Sequence, residues 1–139
     1  MGYILIVDDD EDYAEAAASV LQRDGHEVGI ELNPKNAMSS MEKRLPDLVV
    51  LDVMFPEDAS AGFELARKIR GREKDFGRVP LLMLTAVNTR FPLGFSARDI
   101  DDSWLPVAEF LEKPVDFDLL RGKVSALMQK AAADRQPSQ

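Results

Sequence analysis

Short apolar runs alternate along the chain with segments of helical spacing. YILIV (Tyr3 to Val7), HEVGIEL (His26 to Leu32), DLVVLDV (Asp47 to Val53), VPLLMLTA (Val79 to Ala86) and VAEFLEK (Val107 to Lys113) read as five strands. The first, third and fourth are nearly continuous in Val, Ile, Leu and Met, the pattern of strands covered on both faces. Between them, Tyr13, Ala16, Ala17, Val20 and Leu21 share one helical face, and Gly25 supplies a stop. Asn33 before Pro34 caps a second helix with Ala37, Met38, Met41 and Leu45 on its apolar side. A third helix runs near Phe63, Leu65, Ala66 and Ile69. A last one, capped by Asp116, carries Phe117, Leu120, Val124, Leu127 and Met128. The order β-α-β-α-β-α-β-(irregular)-β-α predicts a parallel sheet wrapped on both faces by right-handed crossovers.

Composition narrows the chemistry. At 139 residues the chain suits one domain with one core, over residues 1–130, followed by a small, polar tail at 131–139 that frays or opens a linker to a longer parent protein. A net charge of −8 disfavours a nucleic-acid backbone or an anionic membrane as direct partner. The absence of cysteine excludes disulfides and thiolate chemistry, and His26 as sole histidine excludes a His-pair metal centre. No apolar run approaches the ~20 residues of a membrane span, and MGYILIVDDD lacks a basic leader, so a cytoplasmic location is expected. What remains is carboxylates, Lys, Arg, Ser and Thr.

These residues are not scattered. The first strand stops against five consecutive acids, Asp8 to Asp12. Ligands of an open parallel sheet bind outside the carboxyl ends of its strands. Asp8 and Asp9 end the first strand, Asp52 the third, Thr85 the fourth and Lys113 the fifth, so all five converge on one edge. Clustered carboxylates repel unless a cation joins them, and an oxygen-seeking ion such as Mg2+ answers that need. Lys113 and Thr85 add a cation and a hydroxyl suited to the oxygens of a transferring phosphoryl group, and a carboxylate beside the ion is a competent acceptor.

VDDD on the first strand, LDVMFP on the third, LTA on the fourth and EKP on the fifth resemble the response-regulator receiver domain of two-component signalling, over nearly the whole chain. The resemblance implies a CheY-like, flavodoxin-like α/β fold, doubly wound, with a five-stranded parallel sheet in the order 2-1-3-4-5. It implies that Asp52 accepts phosphoryl from a histidine kinase or phosphotransfer protein. Asp9, Asp52 and the backbone carbonyl of Met54 would bind Mg2+, with Asp8 acting through water. Thr85 would follow the phosphoryl oxygens, Lys113 would pair with them, Pro114 would shape the loop behind, and Phe110 would be the switching aromatic. Met54 and Val87 would flank the path of a hydrolytic water, and being apolar they predict a long-lived aspartyl phosphate. The chemistry is then self-phosphorylation and slow self-hydrolysis rather than an enzyme's turnover of an external substrate. The partner is a downstream protein not identified by the sequence, with homodimerisation on activation left open. No DNA-binding region follows residue 130, so a DNA output would need a second chain or a longer parent.

Competing readings attach to single residues. Asp10, Glu11 and Asp12 suit a helix N-terminus, where negative charge is favoured. Asp8, Asp10 and Asp12 mimic the opening of a calcium loop, but Tyr13 and Ser19 stand where that loop needs Gly and Glu. Phosphatases of the haloacid-dehalogenase type need a second acid at the position of Met54. A receiver-like module that docks partners without phosphorylation is the stronger rival, and the intact acids, Thr85 and Lys113 argue against it. Thr85, Lys113 and Phe110 taken singly read as a strand-end hydroxyl, a surface lysine and a core aromatic. His26 reads as a solvated turn residue and the methionines as core filler.

The chain departs from the family at two places. PEDASAGFEL delays its glycine to Gly62, lengthening the loop after the acceptor strand. VNTRFPLGFSARDIDDSWLPVAEF, with Pro92, Gly94 and Pro106, predicts an irregular or displaced fourth helix, and its length exceeds the family's habit by about a turn and a half of helix. Phe91, Phe95, Trp104 and Leu105 in it read as core or as an apolar partner patch, in a segment expected to reorder when Asp52 is phosphorylated.

Overall fold

A computed structural model describes residues 2–52, 61–76, 79–86, 109–113 and 116–135. The elements run β1 (Tyr3–Val7), α1 (Glu11–Arg23), β2 (Glu27–Glu31), α2 (Pro34–Lys43), β3 (Leu48–Asp52), α3 (Ala61–Gly71), α4 (Glu73–Phe76), β4 (Leu81–Ala86), β5 (Glu109–Lys113) and α5 (Phe117–Arg135). The strands form one parallel sheet in the order β2-β1-β3-β4-β5. The apolar runs are strands because every residue of β3, and Ile4 to Val7 of β1, is buried between two helical layers.

Strand alternation divides the core into two halves. Leu5, Val7, Val49, Leu51, Leu81 and Met83 face one side with Ala37 and Met41 of α2 and Leu65, Ala66 and Ile69 of α3. Ile4, Ile6, Leu48, Val50, Leu82 and Leu84 face the other, against Ala14, Ala17 and Leu21 of α1 and Leu120 and Val124 of α5. Asp8 and Asp52 fall in step with this second set, so alternation assigns both carboxylates to the side of α1 and α5.

The helix ends follow local chemistry. Asp10 caps α1 by accepting the Tyr13 N–H at 3.1 Å, with Glu11 and Asp12 in the first turn. At the other end Gly25 adopts φ 95° while its N–H reaches Gln22 and that of His26 reaches Leu21, the Schellman closure that a glycine permits. Asn33 caps α2 through the Lys35 N–H, with Pro34 at the first helical position. Asp116 caps α5 through the Asp118 N–H at 2.8 Å. Arg121 of α5 grips Asp24 at 2.9 and 2.7 Å, which ties α5 to the end of α1.

Several sequence expectations need correction. The buried face of α1 is Ala14, Ala17, Ala18 and Leu21, whereas Ala16 is exposed. The helix packs on a sheet flanked by α5, so its contact stripe is centred differently from the side with most large residues. Leu45 lies beyond the end of α2 and is 47% exposed, because Arg44 turns the chain to an extended conformation. His26 is half-buried, and its Nδ1 accepts the Gly2 N–H at 3.4 Å. The short helix α4 was not expected from the sequence, yet it buries Phe76 beneath the α2 and α3 side of the sheet. The expected irregular helix between β4 and β5 lies on residues 88–107, outside the described residues.

Gly122 sits inside α5 on the exposed side, and a Cβ placed there meets nothing within 4 Å. Gly122→Ala is therefore expected to stabilise the fold by about 0.5–1 kcal/mol through lower unfolded-state entropy and better helix propensity. Chemical denaturation should show a higher midpoint at unchanged slope. A lower midpoint would mean that the helix does not hold this position.

Candidate functional site: a carboxylate cluster at the strand ends

The cluster is built by register. Val7 pairs with Leu51, so Asp8 and Asp52 are carried side by side at the carboxyl ends of β1 and β3. Asp8 is held past the end of its strand by its own N–H, which donates to the Glu31 carbonyl at 3.1 Å. Its Oδ1 accepts the Asp10 N–H at 2.9 Å, a turn that aims the carboxylate while the chain swings into α1. Asp52 is the last residue of β3, paired with Leu84. Asp8 and Asp52 are each 1% exposed, and Asp9 is exposed.

Asp8, Asp9 and Asp52 each offer an oxygen, and these oxygens lie within 4.8 Å of one another. Burying like charges so close together is costly unless a cation joins them. Three hard oxygen donors, two of them fixed by the ends of buried strands, fit an ion such as Mg2+. No sulfur or imidazole donor is among them, which disfavours the softer transition metals.

Thr85 follows Leu84, the partner of Asp52, and pairs in register with Glu112, while Ala86 pairs with Lys113. Backbone register thus brings Thr85 and Lys113 to the edge that carries the carboxylates. Phe110 lies in β5, opposite Met83. Met54, Val87 and Pro114 lie outside the described residues.

Sequence patterning places Tyr13 among the apolar positions of α1 and assigns it no part in the site. Its hydroxyl is fully buried, and burial, then the Asp8 and Asp52 carboxylates, push the phenol up to about 12. The available signal was its place in the first turn of the helix that the acid run leads into, since helical side chains lean back toward the N-terminus. Folding opposes ionisation of such a phenol. The stability it supports is present below the ordinary value of 10.0 and drains as pH rises toward about 12. In metal-free buffer, the tyrosinate absorbance of parent minus Tyr13→Phe is expected to grow in near pH 12, with stability falling over the same window. Ionisation at the ordinary value would mean that the hydroxyl does not face the carboxylates.

A family model described as response regulator receiver domain matches residues 4–125. The chain belongs to that family. It is 30% identical over 130 residues to the alkaline phosphatase synthesis transcriptional regulatory protein PhoP of Bacillus subtilis, covering 92% of this chain and 49% of PhoP. Among solved structures it is similar to the signal receiver domain of a signal transduction histidine kinase from Syntrophus aciditrophicus. That likeness has a TM-score of 0.75 and 27% identity, over 100% of this chain and 97% of that one. It also shares the fold of a CheY-like receiver domain protein from Methanospirillum hungatei JF-1, with a TM-score of 0.77 at 23% identity, over 94% and 97% of the two chains. This receiver domain spans about half the length of the curated response regulators it matches. Receiver domains act in two-component signalling and are not a classical enzyme family. They generally bind Mg2+ at an acidic pocket, and the Asp8, Asp9 and Asp52 cluster is consistent with that habit. Among the described residues no helix is long and apolar enough to cross a membrane.

Proposed function

We propose that this receiver domain is a Mg2+-dependent phosphoryl acceptor, loaded on Asp52 by a histidine kinase or phosphotransfer protein and signalling by contact with a downstream protein in the cytoplasm. The supporting observation is the meeting of the Asp8, Asp9 and Asp52 oxygens within 4.8 Å at the carboxyl ends of β1 and β3. Asp9, Asp52 and the Met54 carbonyl would hold the ion, with Asp8 acting through water. Bound Mg2+ would supply positive charge where the transferring group gathers negative charge.

The remaining steps belong to the chain. A carboxylate oxygen of Asp52 attacks phosphorus, the new O–P bond forms as the N–P bond of the donor phosphohistidine breaks, and the imidazole leaves with the electron pair. The sheet holds Asp52 rigid, so the attacking oxygen needs no reorganisation. The Thr85 hydroxyl and Lys113 ammonium take the phosphoryl oxygens, and Thr85 and Phe110 carry the change outward as the switch pair. Apolar Met54 and Val87 orient no water, which gives the aspartyl phosphate a long life. A Met54→Asn, Val87→Glu double variant should lose the group faster, and slower loss would overturn this assignment. The domain is assigned to residues 1–130, with α5 continuing past that boundary to Arg135.

The test is incubation with acetyl phosphate, with and without Mg2+, followed by intact mass. One phosphoryl adduct that requires both Mg2+ and Asp52, and is absent in Asp52→Asn, supports the reading. No adduct despite measurable Mg2+ binding would replace it with a docking module that works unphosphorylated.

A further inference from the structure

Tyr13 joins two places that the phosphoacceptor reading leaves separate. Its ring packs on the α1 and α5 half of the core, the half to which strand alternation assigns Asp8 and Asp52. From the first turn of α1 its side chain leans toward the helix N-terminus, the end that carries the carboxylates. Its hydroxyl is buried, and the Asp8 and Asp52 charges act on it. The ring meets Phe117 at 5.8 Å between centroids, tilted by 44°. Phe117 is the first residue of α5, directly after the Asp116 cap, and it too packs on this half of the core.

We propose that Tyr13 is a positioning residue that ties the charge state of the carboxylate cluster to the packing of α5, its hydroxyl end at Asp8 and Asp52 and its ring against Phe117. This deepens the phosphoacceptor reading and rests on it. A divalent ion or a phosphoryl group on Asp52 changes the charge beside a buried phenol dipole, and the dipole must reorient or shift. Tyr has few torsions, and this ring is packed on one side by the core and on another by Phe117, so a shift at the oxygen displaces the ring as a unit. Phe117 moves with it. The start of α5 responds while Leu120, Val124 and the Arg121 grip on Asp24 hold the rest of the helix.

Two tyrosines and seven phenylalanines make ring-selective labelling readable by NMR. Tyr13→Phe and Phe117→Leu identify the two resonances. Mg2+ binding is measured separately by calorimetry, and beryllofluoride with Mg2+ serves as the phosphoryl mimic. In the parent, both resonances should move as Mg2+ saturates and again with beryllofluoride. In Tyr13→Phe, the Phe117 shift should fall by about half or more while the Mg2+ dissociation constant changes by less than about tenfold, the scale of one hydrogen-bonding group. Tyr13→Leu should remove the Phe117 response as well, through loss of the ring. Should that variant not fold, Tyr13→Phe decides alone. A full Phe117 shift in Tyr13→Phe overturns the proposal, as does a parent that binds Mg2+ with Phe117 unmoved. A parent that binds no Mg2+ instead removes the phosphoacceptor reading itself.

Discussion

Asp52→Asn is expected to unfold at a higher temperature than the parent in the presence of a chelator, and to gain almost nothing when Mg2+ is added. The cause is the buried pair at the strand ends. Asp8 and Asp52 are each 1% exposed, and their oxygens lie with that of Asp9 within 4.8 Å. Two like charges about 5 Å apart repel by roughly 3 kcal/mol at an effective dielectric of ~20. Asparagine keeps the shape and removes one charge. Part of the gain is offset by hydrogen bonds that an amide makes differently, so a net stabilisation of about 1–2 kcal/mol is expected. In a domain of this size that raises Tm by roughly 3–10 °C. Mg2+ should separate the two proteins. At ten times its dissociation constant a ligand of the native state stabilises by about 1.4 kcal/mol, which the parent should show and Asp52→Asn should largely lose. Thermal melts in chelator and in Mg2+, with calorimetric binding on both proteins, check this. Equal Mg2+ stabilisation of parent and variant would place the ion elsewhere, and a less stable Asp52→Asn in chelator would mean that the interactions of the Asp52 carboxylate within the fold outweigh its repulsion by Asp8.

The largest loss of stability is expected from Leu51→Ala, at about 3–5 kcal/mol. Leu51 is fully buried on β3, one residue before Asp52, and pairs with Val7 on one side and Met83 on the other. Its neighbours in the α2 and α3 half of the core come from several elements, so the cavity cannot be closed by moving one of them. Against a typical total of about 5–15 kcal/mol this leaves the fold marginal. Leu119→Ala is the matched control. Leu119 lies on α5 but is 50% exposed, and the change should stay within about 0.5 kcal/mol. Urea denaturation of both variants measures the difference. Similar losses from the two would mean that α5 packs its outer side against something, whereas a small loss from Leu51→Ala would mean that the sheet centre is not close-packed.

Much of this architecture was legible in the residues. Continuous apolar runs marked β1, β3 and β4 because a strand covered on both faces needs apolar side chains on both. The starts of α1, α2 and α5 and the end of α1 were legible because capping is a short-range affair of Asp10, Gly25, Asn33, Pro34 and Asp116 with their own neighbours. The grouping of Asp8, Asp9 and Asp52 could also be anticipated, since parallel strands send all their carboxyl ends to one edge. Less legible were features that depend on which elements meet. The true buried stripe of α1, the exposure of Leu45, the half-burial of His26 and the short helix α4 all follow from packing partners distant in the chain. Tyr13 belongs with them. Side-chain periodicity and local hydrogen bonds were enough for the order of the strands and the longer helices, for the N-terminal caps and for the acids at one sheet edge. The burial of Asp8 and Asp52 beside an exposed Asp9, and the packing of the Tyr13 ring on Phe117, came from the assembled fold alone. Burial and contact across the sheet depend on strand register and helix packing, which local patterns do not encode.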